Sequence, residues 1–286
     1  MSQIGLDGCV AAEIDLDRYF ARIGYDGPRE PTIEVLRALH RLHPAAIPFE
    51  AIDVLLAREI GLGPATLQAK MIAGGRGGYC FEQNGLFKLA LQAIGFEVAS
   101  LIARSRWGRP LGDIRARTHM ALRVRIDGED WLADVGYSSA MLTAPIRLAE
   151  RGPQETLHEP VRLRPVDGEL RLEVLIVGEW RPIYDAVPRP QHDADLAAAN
   201  WFVSTWPASP FRHALIVSRT TPQARYVLHE NRLTIRRPGR ESERLRLSAD
   251  EMTRLLGRDF GLAVEPAWRP VLEAAVTRGD DMERRG

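Results

Sequence analysis

Apolar positions along the chain change their period twice. In the first third they recur at helical spacing. Pro31 and Thr32 open a segment in which Val35, Leu36, Leu39 and Leu42 share a face, and Pro44 is expected to end it. A second helical run, Leu86, Phe87, Leu89, Ala90 and Ala93, follows Cys80 and stops at Gly95, a residue suited to a left-handed C-cap. Between the two lies Gly74-Gly75-Arg76-Gly77-Gly78, a loop by its turn chemistry.

From about residue 96 the period becomes two. Met120, Leu122, Val124 and Ile126 alternate with Ala121, Arg123 and Arg125. Asp127-Gly128 is a hairpin signal, and Trp131 to Val135 is the return strand. A second pair, Asp167-Gly168, joins Val161–Val166 to Leu170–Val177. The last third mixes both periods. Phe211–Arg219 and Ala224–Arg236 are expected as strands, and Ser248 with Glu251 forms a capping box ahead of Met252, Leu255 and Leu256. The charged tail Arg278–Gly286 is expected to fray. Helical, then β, then mixed makes a three-part α+β layout.

Composition narrows the picture. The 286 residues suffice for a large core without staples. Basic and acidic residues balance at 38 each, which argues against nucleic acid or an anionic membrane as the main partner. No run approaches the length of apolar chain that spans a bilayer. Met1–Ala12 lacks the pattern of a signal peptide, so a cytoplasmic location is expected. Two cysteines, Cys9 and Cys80, build neither a disulfide framework nor a Cys-rich metal site.

Cys80 is the candidate nucleophile. It stands where a glycine loop turns into a helix, and first-turn N–H groups there have no intrahelical partner. They and the helix dipole favour an anion, and the thiolate is the reactive form of cysteine. The same N–H groups suit an oxyanion on an attacked acyl carbon. The competing reading is a small buried hydrophobe. The loop is no phosphate cradle, since no Gly-Lys-Ser/Thr follows it.

Among the histidines, His119 stands out. His40 and His43 sit near a helix end, where positive charge is tolerated. His192 falls in a loop, and His213 and His229 fall in strand-like segments. If Asp127-Gly128 is a two-residue turn, Ile126 pairs with Glu129 and Asp134 lies opposite Ala121. His119 and Asp134 then share a face as diagonal neighbours, within reach of a hydrogen bond. A four-residue loop would keep the face but part the pair, and a bulge would break the relation. A carboxylate on one imidazole nitrogen fixes the tautomer and frees the other nitrogen to take a proton. A purely structural His–Asp pair is the alternative.

The segment Arg76-Gly-Gly-Tyr-Cys-Phe-Glu-Gln-Asn-Gly-Leu-Phe87 resembles the active-site signature of the arylamine N-acetyltransferases. The resemblance extends to Ile47-Pro-Phe-Glu50, Thr118-His119, Asp134-Val-Gly136, Asn200-Trp-Phe-Val-Ser-Thr205 and Ser209-Pro-Phe211. It implies a helical bundle over 1–95 carrying the nucleophile, a β-barrel over 96–199 carrying His and Asp, and an α/β lid over 200–286. It implies a papain-like triad of Cys80, His119 and Asp134, supported by a structural pair of Arg76 and Glu50. Acetyl-CoA is the implied acyl donor, and an aromatic amine or hydrazine the acceptor. No metal or tightly bound cofactor is expected.

Two positions depart from the family pattern. Tyr137-Ser138-Ser139 stands where Phe then Gly is common, and Trp206 where histidine is frequent. By motif match, Thr118, Tyr137 and Phe211 are expected to line the substrate pocket, with core packing the alternative for Phe211. Other chemistries on the same scaffold are an amide synthase using a carrier-bound acyl chain and a thiol hydrolase or transglutaminase-like enzyme. A non-catalytic binding protein is the reading from another class.

Overall fold

A computed structural model of the protein describes residues 13–110 and 112–284. Cys9 and the stretch Met1–Ala12 lie outside the described residues.

The first part is helical. α1 (Leu16–Ile23) starts at Asp15, whose carboxylate accepts the Arg18 N–H at 3.0 Å, and ends at Gly24 with φ of 69°. α2 (Ile33–Ala46) starts at Thr32 and runs through Pro44 rather than ending there. Proline removes one backbone donor near the last turn, but the Ile47 N–H still reaches the His43 carbonyl, so the turn survives. Then come a two-residue strand β1 (Phe49–Glu50), two short helices α3 (Ile52–Leu55) and α4 (Pro64–Leu67), and a π-helical turn over Gln68–Ala73. α5 (Cys80–Ile94) follows the glycine loop and stops at Gly95, whose φ is 106°.

The middle part is one antiparallel sheet of seven strands: β2 (Glu97–Ser105), β3 (His119–Ile126), β4 (Glu129–Ala133), β5 (Ile146–Arg147), β6 (Val161–Val166), β7 (Glu169–Ile176) and β8 (Glu179–Ala186). Their order is β5-β4-β3-β2-β8-β7-β6. The sheet curls around a common core that includes Leu101, Ala121, Leu132, Ile146, Leu163, Leu172 and Ile183, one or more from every strand. The two edges meet through Gln154. Its backbone bridges to Val161 at the start of β6, and its side-chain amide takes both the N–H and the carbonyl of Arg147 in β5. Asp127 and Gly128 both have positive φ, which matches the right-handed twist of a tight hairpin, as do Asp167 and Gly168. A third such turn, Val177-Gly178, creates β8. No local signal marks it, because a β-branched residue at φ of 49° is not turn chemistry.

The last part opens with α6 (Asp193–Thr205) and holds a second sheet: β9 (Ile216–Thr220), β10 (Arg225–His229), β11 (Arg232–Arg236) and β12 (Glu243–Arg246). β1 from the helical part forms its edge, in the order β1-β9-β10-β11-β12. Two expected strands are corrected here. Phe211 and Arg212 lie in a 3-10 turn (Pro210–Arg212), because Pro210 cannot donate to a ladder, and the strand begins only at Ile216. The stretch 224–236 is a hairpin folded at Glu230-Asn231, not a single strand. Ser248 caps α7 (Ala249–Arg254) with Glu251 reaching back to it, as the capping box predicts. α8 (Arg269–Arg284) contradicts the expected frayed tail as far as Arg284, and Arg285 and Gly286 lie outside the described residues. Arg278 makes a bidentate pair with the buried Glu230, at 2.8 and 2.9 Å, and Asp280 accepts from Asn231 and Arg246. Trp268, Leu272 and Ala275 bury the helix against the sheet. No helix among the described residues is long and apolar enough to cross a membrane.

Candidate active site

The site is built from the start of α5, the start of β3 and the end of β4. In β3 and β4, Ile126 pairs with Glu129 and Leu122 with Ala133, the register of a two-residue turn. Asp134 follows directly, and its Oδ2 lies 2.7 Å from His119 Nε2. The other ring nitrogen, Nδ1, is left without the carboxylate, and Cys80 stands close enough to favour the charged form of the His119 ring. Cys80 Sγ also lies 3.7 Å from the Thr118 carbonyl oxygen. The structure thus brings Cys80, His119 and Asp134 together, all buried.

Burial alone would lower the pKa of His119. The charge of Asp134 and its hydrogen bond, with the bond to Cys80, override that and push it up to about 10. The ring is therefore an imidazolium at neutral pH. Tyr137 meets it edge-on at 5.0 Å and Tyr184 lies tilted at 5.0 Å, so the cation rests among aromatic rings. Burial opposes the charge of Asp134 too, yet its pKa is lowered, by His119, Asn84 and the Gly136 N–H.

Asp134 is held by neutral groups. Asn84 Nδ2 donates to its Oδ1 at 2.9 Å and to the Met120 carbonyl at 2.7 Å, while Asn84 Oδ1 accepts the Val135 N–H. The Gly136 N–H donates to the same carboxylate oxygen at 2.9 Å. The Asp134 N–H donates to His40 Nε2 at 3.1 Å. A side chain at 136 would place its Cβ 2.6 Å from Asn84 Nδ2 and 2.8 Å from the Cys80 Cα, so glycine there is a condition of docking this turn onto α5. His40 and His43 are not helix-end cations. Both are fully buried, and desolvation lowers them to about 4 and about 3. His43 bridges the Tyr19 hydroxyl and Gln83.

Cys80 rests instead on charges. Arg76 Nη2 pairs with Glu50 at 2.8 Å and with Asp53 at 3.1 Å, Arg76 Nη1 meets Glu265, and the guanidinium covers the Trp268 ring at 4.6 Å. Glu50 Oε2 in turn accepts the Ile52 N–H at 2.8 Å. Lys70 pairs with Asp53 and Glu82, each at 2.7 Å. Glu82, three residues after the N-cap Tyr79, accepts the Tyr79 N–H at 3.0 Å. The loop is pressed onto this network: a Cβ at Gly77 would fall 2.1 Å from the Pro48 carbonyl oxygen. Tyr79 itself donates to Asn200 of α6, whose amide donates to the Ile60 carbonyl.

A cavity of about 740 Å³ opens over Cys80 and His119. Thr118, Tyr137 and Phe211 all line it. The Tyr137 hydroxyl donates to the Ile183 carbonyl at 3.1 Å and pairs with Ser105 Oγ at 2.7 Å, so the hydroxyl that sets it apart from phenylalanine is anchored. Phe211 packs edge-on against Tyr79 at 5.8 Å and so serves core and cavity wall together. Trp206, stacked on Phe202 at 5.0 Å, also lines the cavity. Sequence reasoning missed Asn84, His40, Asp53, Lys70, Glu82 and Glu265. Asn84 carried one signal, a polar side chain four residues after Cys80 and hence on the same helix face.

A sequence profile described as N-acetyltransferase matches residues 32–269. The chain is 39% identical over 255 residues to the arylamine N-acetyltransferase of Mycolicibacterium smegmatis, covering 87% of this chain and 92% of that one. It is 37% identical over 263 residues to a Salmonella typhimurium protein named arylamine N-acetyltransferase / N-hydroxyarylamine O-acetyltransferase, covering 91% and 93%. Among solved structures, the Mycobacterium marinum arylamine N-acetyltransferase in complex with CoA superposes with a TM-score of 0.86 at 35% identity, covering 92% of this chain and 98% of that one.

Proposed function

The chain belongs to the arylamine N-acetyltransferase family, and we propose that Cys80, His119 and Asp134 carry the acetyl group of acetyl-CoA to the nitrogen of an aromatic amine or hydrazine. The observation that supports this assignment most is the buried Cys80–His119–Asp134 relay at the floor of the cavity, with the cysteine at a helix N-terminus. Cys80 reacts as a thiolate with the His119 imidazolium beside it. Cys80 attacks the thioester carbonyl, and N–H groups of the first turn of α5 hold the oxyanion. His119 passes its proton to the departing CoA sulfur and becomes neutral. It then takes the proton of the attacking amine while Cys80 leaves as thiolate, which restores the starting state.

Asp134 keeps the imidazole in one tautomer throughout, with Nε2 toward the carboxylate and Nδ1 toward sulfur. Aryl amines are unprotonated at neutral pH and suit this second step. Thr118, Tyr137 and Phe211 would contact the acceptor, and Arg76 with Glu50 would hold the nucleophile loop. Intact-protein mass spectrometry after mixing with acetyl-CoA tests the assignment. Wild type should gain one acetyl group and lose it to an added aromatic amine, and Cys80→Ala should gain none while staying folded. An adduct on Cys80→Ala would refute the nucleophile.

A further inference from the structure

We propose that Lys70 is a positioning residue for Cys80: its ammonium keeps the Glu82 carboxylate ionised, and that carboxylate caps α5 and sets where the cysteine stands. This inference rests on the assignment of Cys80 as the nucleophile. The N-cap of α5 is Tyr79, a residue with no short polar side chain to serve the first turn. Glu82 does the tying instead, with Oε2 on the Tyr79 N–H and Oε1 on Lys70. The carboxylate is 3% exposed, so without a cation it would be a buried, uncompensated charge. Gly78 lies directly on it, since a Cβ there would sit 2.7 Å from the Glu82 Cβ and 3.0 Å from Oε2. Any shift of Glu82 is therefore transmitted to the two residues before Cys80.

The chain's composition bears on the choice of cation. Of 38 basic residues only Lys70 and Lys88 are lysine. At this part-buried site the cation is a compact ammonium, a point charge that bridges Asp53 and Glu82. The groups facing Glu82 are Lys70 from the π-helical turn, the Tyr79 N–H, and Glu50 from β1; Asp53 and Arg76 stand behind Lys70 and Glu50, with Arg58 and Glu265 beyond. Burial raises the Glu82 pKa to about 6, with Lys70 opposing the rise and Glu50 adding to it. Loss of Lys70 moves Glu82 protonation up into the neutral range, and a neutral carboxylic acid no longer makes the charge-assisted bond to the cap.

The rate of Cys80 alkylation by iodoacetamide, read by intact mass from pH 5 to 9 as a ratio to wild type, tests this without any acyl donor. Dividing by wild type removes whatever pH dependence the two proteins share. Lys70→Met should show a several-fold dip confined to the neutral window. The ratio should return toward one below about pH 6, where wild-type Glu82 is protonated as well, and toward one at the alkaline end. Glu82→Gln, which mimics the protonated acid, should match wild type below about pH 6 and stay several-fold slower above it. The double variant should follow Glu82→Gln. A ratio for Lys70→Met that is flat across the range would mean a merely structural lysine and would overturn the proposal. If Lys70→Met does not fold, a pH-independent ratio for Glu82→Gln overturns it equally. A failure to form acetyl-enzyme would leave these outcomes unchanged, so the two assignments fail separately.

Discussion

Cys80 and Asp134 sit at opposite ends of one relay, yet they are supported in opposite ways. Under Cys80 lies a lattice of ions, Arg76 and Lys70 among the buried Glu50, Asp53 and Glu82 and the part-exposed Glu265. Around Asp134 every partner except His119 is neutral: the Asn84 amide, the Gly136 N–H and a histidine kept uncharged by burial. The difference has a physical reason. Asp134 must stay charged to hold an imidazolium, and a second cation nearby would compete with His119 for it. The loop carrying Cys80 needs rigidity rather than a charge of its own, and ion pairs fix backbone at the price of sensitivity to losing either member.

The comparison can be broken from either end. Asp134→Asn keeps the shape of the neutral cluster while removing its charge. Acetyl transfer should fall on the order of 10³–10⁴-fold through the lost tautomer and imidazolium, with little change in urea midpoint. A large drop in midpoint would show that the cluster also depends on its charge for folding. On the other side, Arg76→Met leaves Glu50, Asp53 and Glu265 facing each other. It should cost about 3–5 kcal/mol of stability, read by urea unfolding. Wild-type stability in that variant would mean the lattice contributes nothing to the fold.

Acid sharpens the contrast further. His40 and His43 have folded pKa values below the ordinary value, near 4 and 3, so the unfolded chain binds protons first as the pH falls. Their contribution is present above about 6.5 and is lost as the pH drops toward those folded values. Glu82 has the opposite sign: its folded value near 6 lies above the ordinary 4.5, so its contribution is full below about 4.5, is lost as the pH rises through 6, and offsets part of the histidine loss. Stability should therefore fall by roughly 2 kcal/mol per histidine between pH 6.5 and 5, at about 1.4 kcal/mol per unit. His40→Gln, which retains an acceptor for the Asp134 N–H, should remove about half of that slope. An unchanged slope would move the acid sensitivity elsewhere.

What the sequence revealed of this arrangement follows the range of the contacts. The hairpin register that sets His119 beside Asp134 was readable because Asp127-Gly128 is a local signal, and the two-residue turn it favours is the one the strands adopt. The start of α5 at Cys80 and its stop at Gly95 were readable for the same reason. β8 was not, because Val177 takes a backbone conformation that its side chain disfavours. Of the lattice under Cys80, only the Arg76–Glu50 pair was expected, and that from the family resemblance. The members of the lattice come from β1, α3, the π-helical turn and the segment before α8, and no local pattern couples them. His40 and His43 illustrate a subtler limit: position on a helix was legible, but full burial and the neutral form it imposes come only from what packs over them.

The edge strand β1 also ties the site to the order in which the chain is made. Phe49 and Glu50 pair with β9, and Arg76 is completed by Glu265, which follows it by 189 residues. At about 5–20 residues per second, a ribosome needs roughly 10–40 seconds to bring Glu265 out after Arg76. During synthesis, then, Cys80 emerges long before the strand and the carboxylate that fix its loop. A nascent chain carries the thiol without the finished cradle, and the cradle closes only when the C-terminal sheet arrives.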